Sequence, residues 1–455
     1  MTHADAVVVG AGMAGLTAAH ALVRRGLRPV VLEAASAPGG SVVGGTVGAY
    51  EVDLGAESFA VRGGRVAALA RELGLPVEEP AGAGSSVWAP GPDGHERALL
   101  IPPASTLGIP WDLDAPEVAA ALSPGGLARA RSDAGLGPEA GADAGDLATL
   151  VRTRMGEAVL EQLVRPIAGG IHSTDPENLH VDAVAPGLRA ALRVHGSLAA
   201  AVRALRADAP AGAVVATTTG GLFRLPRALA AAVSAGGEVR TSTHAVDVRA
   251  RPGGAWEVRG VGPGGEERWV APRVVVATPG PQAVRLLAGV VDTSDVVLPR
   301  GRDVTHVTLV VRSGALDAAP RGAGLLVSPR ARDVRAKALT HATAKWRWLG
   351  EATAPAVHVV RLSYGGPGRS TAGVGPDLAA RELALLLGVE PPEVLAARVV
   401  RWREALAPSA GALPPVARLR ADLAGLPGLA VTGAWVAGTG LAAVVADADE
   451  VGAGV

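Results

Sequence analysis

An α/β fold opened by a β-α-β unit is the class this sequence predicts, and three observations predict it. Ala6-Val7-Val8-Val9 is a continuous run of strand-forming apolar residues that breaks into Gly10-Ala11-Gly12-Met13-Ala14-Gly15. Leu16 to Val23 then reads as a helix. A second apolar run, Arg28 to Leu32, ends on Glu33, eighteen residues after the last glycine. Strand, glycine turn, helix, strand and acid in this order make the dinucleotide-binding pattern of a Rossmann-type domain.

Each part of the pattern has a physical task. Gly10 permits the tight turn out of the strand, Gly12 lets the backbone approach a pyrophosphate, and Gly15 lets the helix pack close to the sheet. The helix N-terminus offers free N–H groups and a partial positive charge to phosphate. Glu33 is placed to accept hydrogen bonds from a ribose. A second glycine pair, Gly39-Gly40-Ser41, follows, and Tyr50 to Phe59 reads as a short strand running into a loop. Flavoproteins of the glutathione-reductase and amine-oxidase type use such a segment to line the ribityl chain and flavin, so FAD is expected rather than NAD.

Composition narrows the chemistry. With 455 residues, 49% of them hydrophobic, the chain has material for two or three domains. A formal net charge of zero gives no electrostatic case for nucleic acid. The absence of cysteine excludes disulfides, thiolate metal sites, a CxxC redox pair and flavin attachment through sulfur. Redox chemistry must then sit on a bound cofactor. Met1-Thr2-His3-Ala4-Asp5 has no basic run ahead of an apolar core, which predicts a cytoplasmic protein without a secretory leader. The uncharged stretch Leu423 to Ala446 is long enough to span a bilayer, but Gly425, Pro427, Gly428, Gly433, Gly438 and Gly440 interrupt it. A strand at Leu429 to Thr432 and a helix from Leu441 are expected instead.

Along the chain, Gly64 to Leu73 has helical spacing, and Val87 to Ile101 reads as a hairpin turning at Pro90 to Gly94. Helical patterns then dominate from Trp111 to Leu205: Pro116 to Leu122, Gly125 to Asp133, Asp146 to Gly156, Glu157 to Val164 and Ala183 to Leu205. Another helix is expected at Pro226 to Ala235, and short strands at Glu238 to Arg240, Ala245 to Arg249, Trp256 to Arg259 and Arg273 to Ala277. Val304 to Arg312, Gly324 to Val327, Ala336 to His341 and His358 to Ser363 suggest a second sheet. Leu378 to Leu387 reads as a helix and Val399 to Trp402 as a strand. The segment Gly433 to Leu441 ends a strand and starts a helix whose positive end suits negative charge on a reduced flavin.

With these pieces in place the chain resembles the protoporphyrinogen/coproporphyrinogen oxidases of the flavin amine oxidase superfamily. The carrying segments are VVVGAGMAG, VLEAASAPGGS, DLGAESF, GGLFRLPRAL, VVVATPGPQAVRLL, Lys345-Trp346, VVRLSYG, VVRWREAL, GLAVTGAWVAGTGL and, most distinctive, Leu163 to Leu188. The resemblance implies a discontinuous, glutathione-reductase-like FAD domain at 1–80, 212–285 and 396–455, with an inserted helical domain at 90–205 and a mixed-sheet substrate domain at 286–395. Carried over by position, the FAD contacts are Gly10, Ala11, Gly12, Met13, Ala14, Gly15, Glu33, Ala34, Ser41, Gly55, Ala56, Glu57, Ser58, Val246, Trp402, Thr439, Gly440 and Leu441.

The implied reaction is the six-electron oxidation of a porphyrinogen, coproporphyrinogen III above protoporphyrinogen IX. Hydride passes from a meso carbon to flavin in three rounds, and molecular oxygen leaves as hydrogen peroxide. No metal and no catalytic side chain is assigned, because the cofactor carries the hard step. Arg62, Arg165, Arg224 and Arg361 are the cations considered for substrate propionates. The resemblance also implies peripheral contact of the helical domain with membrane, as in some relatives, and a partner enzyme of haem assembly. It departs from the family pattern at Ser41, at Ala405 to Leu413 and at Gly440 to Val445. Two alternatives stay open: an amine oxidase or desaturase type enzyme on another substrate, and a non-catalytic flavin-binding partner.

Overall fold

The computed structural model describes the chain except residues 83, 92, 173–174, 208–214, 367 and 406–412, and the side chains of 171 and 172. Pro92 of the expected turn, residues 173–174 of the Leu163 to Leu188 motif, and most of the Ala405 to Leu413 departure therefore lie outside the described residues. Two compact units result: Met1–Glu79, Ala213–Arg302 and Glu404–Val455 form one, and Pro80–Gly212 with Asp303–Arg403 the other.

The first unit is built on a five-stranded parallel sheet. Its strands in chain order are β1 (Ala6–Val9), β2 (Pro29–Leu32), β3 (Glu238–Arg240), β4 (Val274–Val276) and β5 (Leu429–Val431), and in space they run β3-β2-β1-β4-β5. Every pairing is parallel. A parallel sheet is covered on both faces, which is why β1 and β4 are apolar at every position instead of alternating. Ala6 and Val8 join a core with α1 (Met13–Arg24), α2 (Arg224–Gly236) and α3 (Leu441–Gly454), whereas Val7 and Val9 face a second core that holds Trp256, Val258 and Trp269. Those three residues belong to a four-stranded sheet formed by Thr2–His3, Gly265–Ala271, Trp256–Gly262 and His244–Ala250.

Helices α1 and α3 lie side by side and point the same way. Gly452 of α3 sits so close that a Cβ there would meet the Ala21 side chain at 2.8 Å. At their carboxyl ends Arg24 pairs with Asp449, and Arg25 donates to the carbonyls of Gly452 and Val455 at 2.8 Å each. Their N-termini therefore emerge at one end of the unit, the end to which the carboxyl termini of the parallel strands also run.

The second unit joins a seven-stranded mixed sheet to a helical core. The sheet order is Glu393–Trp402, Val304–Arg312, Val357–Gly365, Ala336–His341, Gly324–Val327, Ser86–Pro90 and Glu96–Leu100. Only Ser86–Pro90 against Gly324–Val327 is parallel. Residues 286–302 thus fold with the first unit, and strand Glu393–Trp402 is laddered along its length to Val304–Arg312 in the second. The helix expected over Ala183 to Leu205 is instead three: Val181–Val184, Leu188–His195 and Leu198–Ala207. Gly187 (φ 84°) and Gly196 (φ 76°) take the left-handed conformation that breaks the run. The expected helix Glu157 to Val164 widens into a π-helix over Leu160–Val164.

The helical core encloses an ion pair. Arg154 and Asp133 are 0% and 1% exposed, with Arg154 Nε donating to Asp133 Oδ1 at 2.6 Å. Asp133 also accepts from the amides of Leu198 (3.1 Å) and Ala199 (3.0 Å), and so caps helix Leu198–Ala207. No described helix is long and apolar enough to cross a membrane.

Candidate functional site

At the carboxyl end of the parallel sheet the chain order reverses between β1 and β4, because β1 leads through α1 to β2 on one side while β4 flanks its other side. Such a switch point opens a crevice, the expected seat of a nucleotide in an open α/β sheet. Gly10 (φ 104°) makes the turn here, and a Cβ on it would stand 2.9 Å from the carbonyl oxygen of Ala277, just after β4. A Cβ on Gly15 would run into the Gly10 carbonyl, so the helix can start beside the turn only without a side chain. Gly12 is different: a Cβ there meets only the Cα of Gly40, at 4.0 Å. The fold itself therefore has room for a side chain at Gly12.

The acid is already engaged with the glycine turn. Glu33 Oε2 accepts from the Ala11 amide at 2.7 Å and Oε1 from the Ala35 amide at 2.8 Å. The Gly10 amide donates to the Leu32 carbonyl (2.7 Å), and the Gly39 amide to the Ala11 carbonyl (2.8 Å). The second glycine segment is thereby tied onto the first, and the Ala56 amide donates to the Ser41 carbonyl at 2.9 Å to bring in the Gly55 to Ser58 loop. Gly55 is buried, Glu57 and Ser58 are half-buried, and Ala34, Ser41 and Ala56 are exposed. Met13 and Ala14 are buried in the first turn of α1.

Asp53, 9% exposed, secures the next layer, its Oδ2 accepting from the Leu222 amide (3.0 Å) and Oδ1 from the Phe223 amide (2.8 Å). This holds the GGLFRLP segment, and with it the start of α2, against the hairpin Gly44–Val47 and Tyr50–Asp53. Val246 sits at a bulge in His244–Ala250 and is 42% exposed. Its strand follows Ser242 and Thr243, whose amides donate to the Ala35 and Glu33 carbonyls at 2.8 Å. Thr439 and Gly440 are exposed, and Leu441 opens α3. Trp402 ends strand Glu393–Trp402 of the second unit, opposite Val304.

The residues fit a dinucleotide. Neither α1 nor α3 has a side-chain cap or an acidic residue in its first turn, so both offer amides and positive dipole ends to an anion. The Glu33 carboxylate retains lone pairs beyond the two it uses. Just beyond the ends of β4 and β5, the hydroxyl of Thr278 and Nε1 of Trp435 are buried without a hydrogen-bond partner among the described residues. Thr278 carries no signal in the sequence, because an isolated threonine after a strand forms no motif.

The arginines considered for substrate propionates separate clearly. Arg165 is saturated: it donates to both oxygens of Glu161 at 3.0 Å through Nε and to Glu177 Oε1 at 2.6 Å through Nη2. Its pKa is raised, chiefly by the Glu177 hydrogen bond, and Glu177 is drawn down to about 2 by the same contact. Arg165 thus pins the Leu163 to Leu188 motif. Arg62 and Arg224 are exposed, Arg224 donating to the Thr219 carbonyl at 3.0 Å. Arg361 is 9% exposed on strand Val357–Gly365, opposite Thr308 and Thr340.

The second unit also holds a relay that sequence reasoning missed. Asp317 Oδ1 lies 3.1 Å from His358 Nε2, and His358 Nδ1 lies 3.1 Å from His341 Nε2. Burial lowers the pKa of both histidines, that of His341 to about 4 with help from His358. With the Asp317 carboxylate accepting from His358 Nε2–H, His358 Nδ1 is an acceptor and His341 carries its proton on Nε2. His341 Nδ1 is then a buried acceptor, and it has no partner among the described residues.

Comparison with known proteins agrees with this architecture. A family model described as flavin containing amine oxidoreductase matches residues 13–295. Coproporphyrinogen III oxidase of Mycobacterium tuberculosis (strain ATCC 25618 / H37Rv) is 31% identical over 460 residues, covering 98% of this chain and 96% of that protein. The Mycobacterium leprae enzyme of the same name is 30% identical, with 98% and 97% covered. A crystal structure from Exiguobacterium sp. 255-15, assigned by name to protoporphyrinogen oxidase, superposes with a TM-score of 0.81 at 24% identity, covering 99% of this chain and 97% of that one. Cyclohexylamine oxidase from Brevibacterium oxydans IH-35A gives 0.64 at 16% identity, covering 99% and 98%. At these identities the structural likeness establishes the fold.

Proposed function

The chain belongs to the flavin-containing amine oxidoreductases, and on that premise we propose that it oxidises coproporphyrinogen III to coproporphyrin III in haem biosynthesis. Its cofactor is FAD. The observation that carries the substrate reading is likeness to mycobacterial coproporphyrinogen III oxidases along almost the entire chain. Six electrons and six protons leave the macrocycle, and three molecules of oxygen take them up as hydrogen peroxide. The bound flavin supplies two-electron acceptance in each round.

The residues of the first unit bind and orient. The turn Gly10 to Gly15 brings backbone amides to the pyrophosphate, Glu33 accepts from the adenosine ribose, and the loops at Ser41 and at Gly55 to Ser58 line the remainder of the cofactor. The positive end of α3 at Thr439, Gly440 and Leu441 favours negative charge on the reduced ring. Val246 completes the contacts assigned to this unit. We assign the first unit to FAD, and to the second unit the helical block and the sheet that take the substrate.

The purified protein is expected to be yellow and to release FAD on denaturation. Under air it should convert coproporphyrinogen III into a red-fluorescent porphyrin with stoichiometric peroxide. A yellow protein that forms no porphyrin but oxidises amines would replace this reading with the amine oxidase one.

A further inference from the structure

Thr278 follows β4, and Trp435 lies in the short helix Ala434–Ala437 that follows β5. Trp435 is 7% exposed, and its ring occupies a slot between two glycines. A Cβ on Gly280 would meet its Cγ and Cδ2 at 3.2 Å. One on Gly433 would meet its Cδ1 at 3.6 Å and Nε1 at 3.8 Å, and the Thr278 carbonyl oxygen at 3.8 Å. The Thr278 carbonyl and the indole Nε1 therefore lie on the same side of Gly433. Ala277, just before Thr278, is the residue against which Gly10 packs. This places both residues at the carboxyl ends of β4 and β5, beside the crevice that the glycine turn borders.

Neither polar atom is used by the fold. The Thr278 hydroxyl and Trp435 Nε1 are buried and have no hydrogen-bond partner among the described residues. An indole N–H can only donate, so without an acceptor it remains unsatisfied. Burying such a group disfavours folding by roughly tenfold or more in the equilibrium constant.

We propose that Trp435 Nε1 and Thr278 Oγ1 are hydrogen-bonding contacts to bound FAD, the indole donating to an oxygen or ring-nitrogen acceptor of the cofactor. The fold carries both groups unsatisfied until the cofactor is in place. The inference rests on the assignment of this crevice to FAD.

Trp435→Phe and Thr278→Val, made separately in the full chain, test it in apoprotein and FAD-loaded protein. The melting temperature of the Thr278→Val apoprotein stays equal to wild type or rises, since an unsatisfied group has been removed, whereas Trp435→Phe also gives up ring volume in the core and is read by its FAD affinity. The FAD dissociation constant rises by about 5- to 30-fold, and the FAD-induced increase in melting temperature shrinks. Thr278→Ser, which keeps the hydroxyl, should retain wild-type affinity. Variants that bind FAD as tightly as wild type, or whose apoproteins melt lower with unchanged affinity, would overturn the proposal. A wild-type protein that gains no stability from FAD would overturn the crevice assignment beneath it.

Discussion

Glu33 holds Ala11 across the mouth of the parallel sheet: Oε2 accepts a 2.7 Å hydrogen bond from the Ala11 amide. The acid at the end of β2 thus shapes the glycine turn at the end of β1 before any ligand arrives. A charged acceptor on a backbone amide is among the stronger hydrogen bonds of a fold. The same carboxylate serves turn geometry and, on our assignment, the ribose.

Glu33→Ala should therefore injure both. Loss of two amide contacts at a half-exposed acid is expected to cost about 1–2 kcal/mol of apoprotein stability and at least tenfold in FAD affinity. Thermal melting with flavin-fluorescence titration reads the two effects. Normal affinity in a destabilised variant would confine Glu33 to the turn.

The glycines of the turn should respond unequally. Gly15→Ala places its methyl on the Gly10 carbonyl and should prevent normal folding of the first unit. Gly12→Ala, at φ −71° with only the Gly40 Cα at 4.0 Å, should fold with unchanged stability yet lose FAD, because its methyl stands where a pyrophosphate must approach. A yellow Gly12→Ala protein would contradict the loop assignment.

Much of both units was legible locally. The turn Gly10 to Gly15, β2 ending at Glu33 and the strands at Val304 and Ala336 each carry their own periodicity or turn chemistry. What was not legible depends on distant partners. Arg154 and Asp133 look like surface charges in sequence and become a buried pair only when helices close around them. Hairpin Ser86–Leu100 joins the large sheet through parallel pairing with Gly324–Val327, a register that local pattern does not encode. Arg165 has the residue type expected of a propionate ligand, but three-dimensional proximity to Glu161 and Glu177 commits it elsewhere.

Asp53 is a further case of a residue whose task is set at long range. Asp53→Ala leaves the buried amides of Leu222 and Phe223 without their acceptor. The expected loss is about 2–5 kcal/mol, measured by denaturant titration. A loss below about 1 kcal/mol would show that these amides find water.

The histidine relay predicts a distinct acid sensitivity. His341 is neutral in the folded chain down to about pH 4, whereas unfolded histidine takes up a proton below about 6.5. Its contribution is complete above pH 6.5 and is lost as pH falls from 6.5 towards 4, amounting to about 3 kcal/mol. Stability of His341→Leu should fall less steeply across that interval. Glu177, held down to about 2, acts in a separate window below pH 4.5. Parallel pH profiles for wild type and His341→Leu would exclude the relay as the cause.

The central claim is that porphyrinogen delivers its electrons to a flavin held by this chain. Anaerobic mixing of the FAD-loaded protein with coproporphyrinogen III tests it most directly. The account predicts bleaching of the flavin's visible band as porphyrin fluorescence appears, with colour restored by air. Protein that stays yellow with this substrate while binding FAD normally would contradict it.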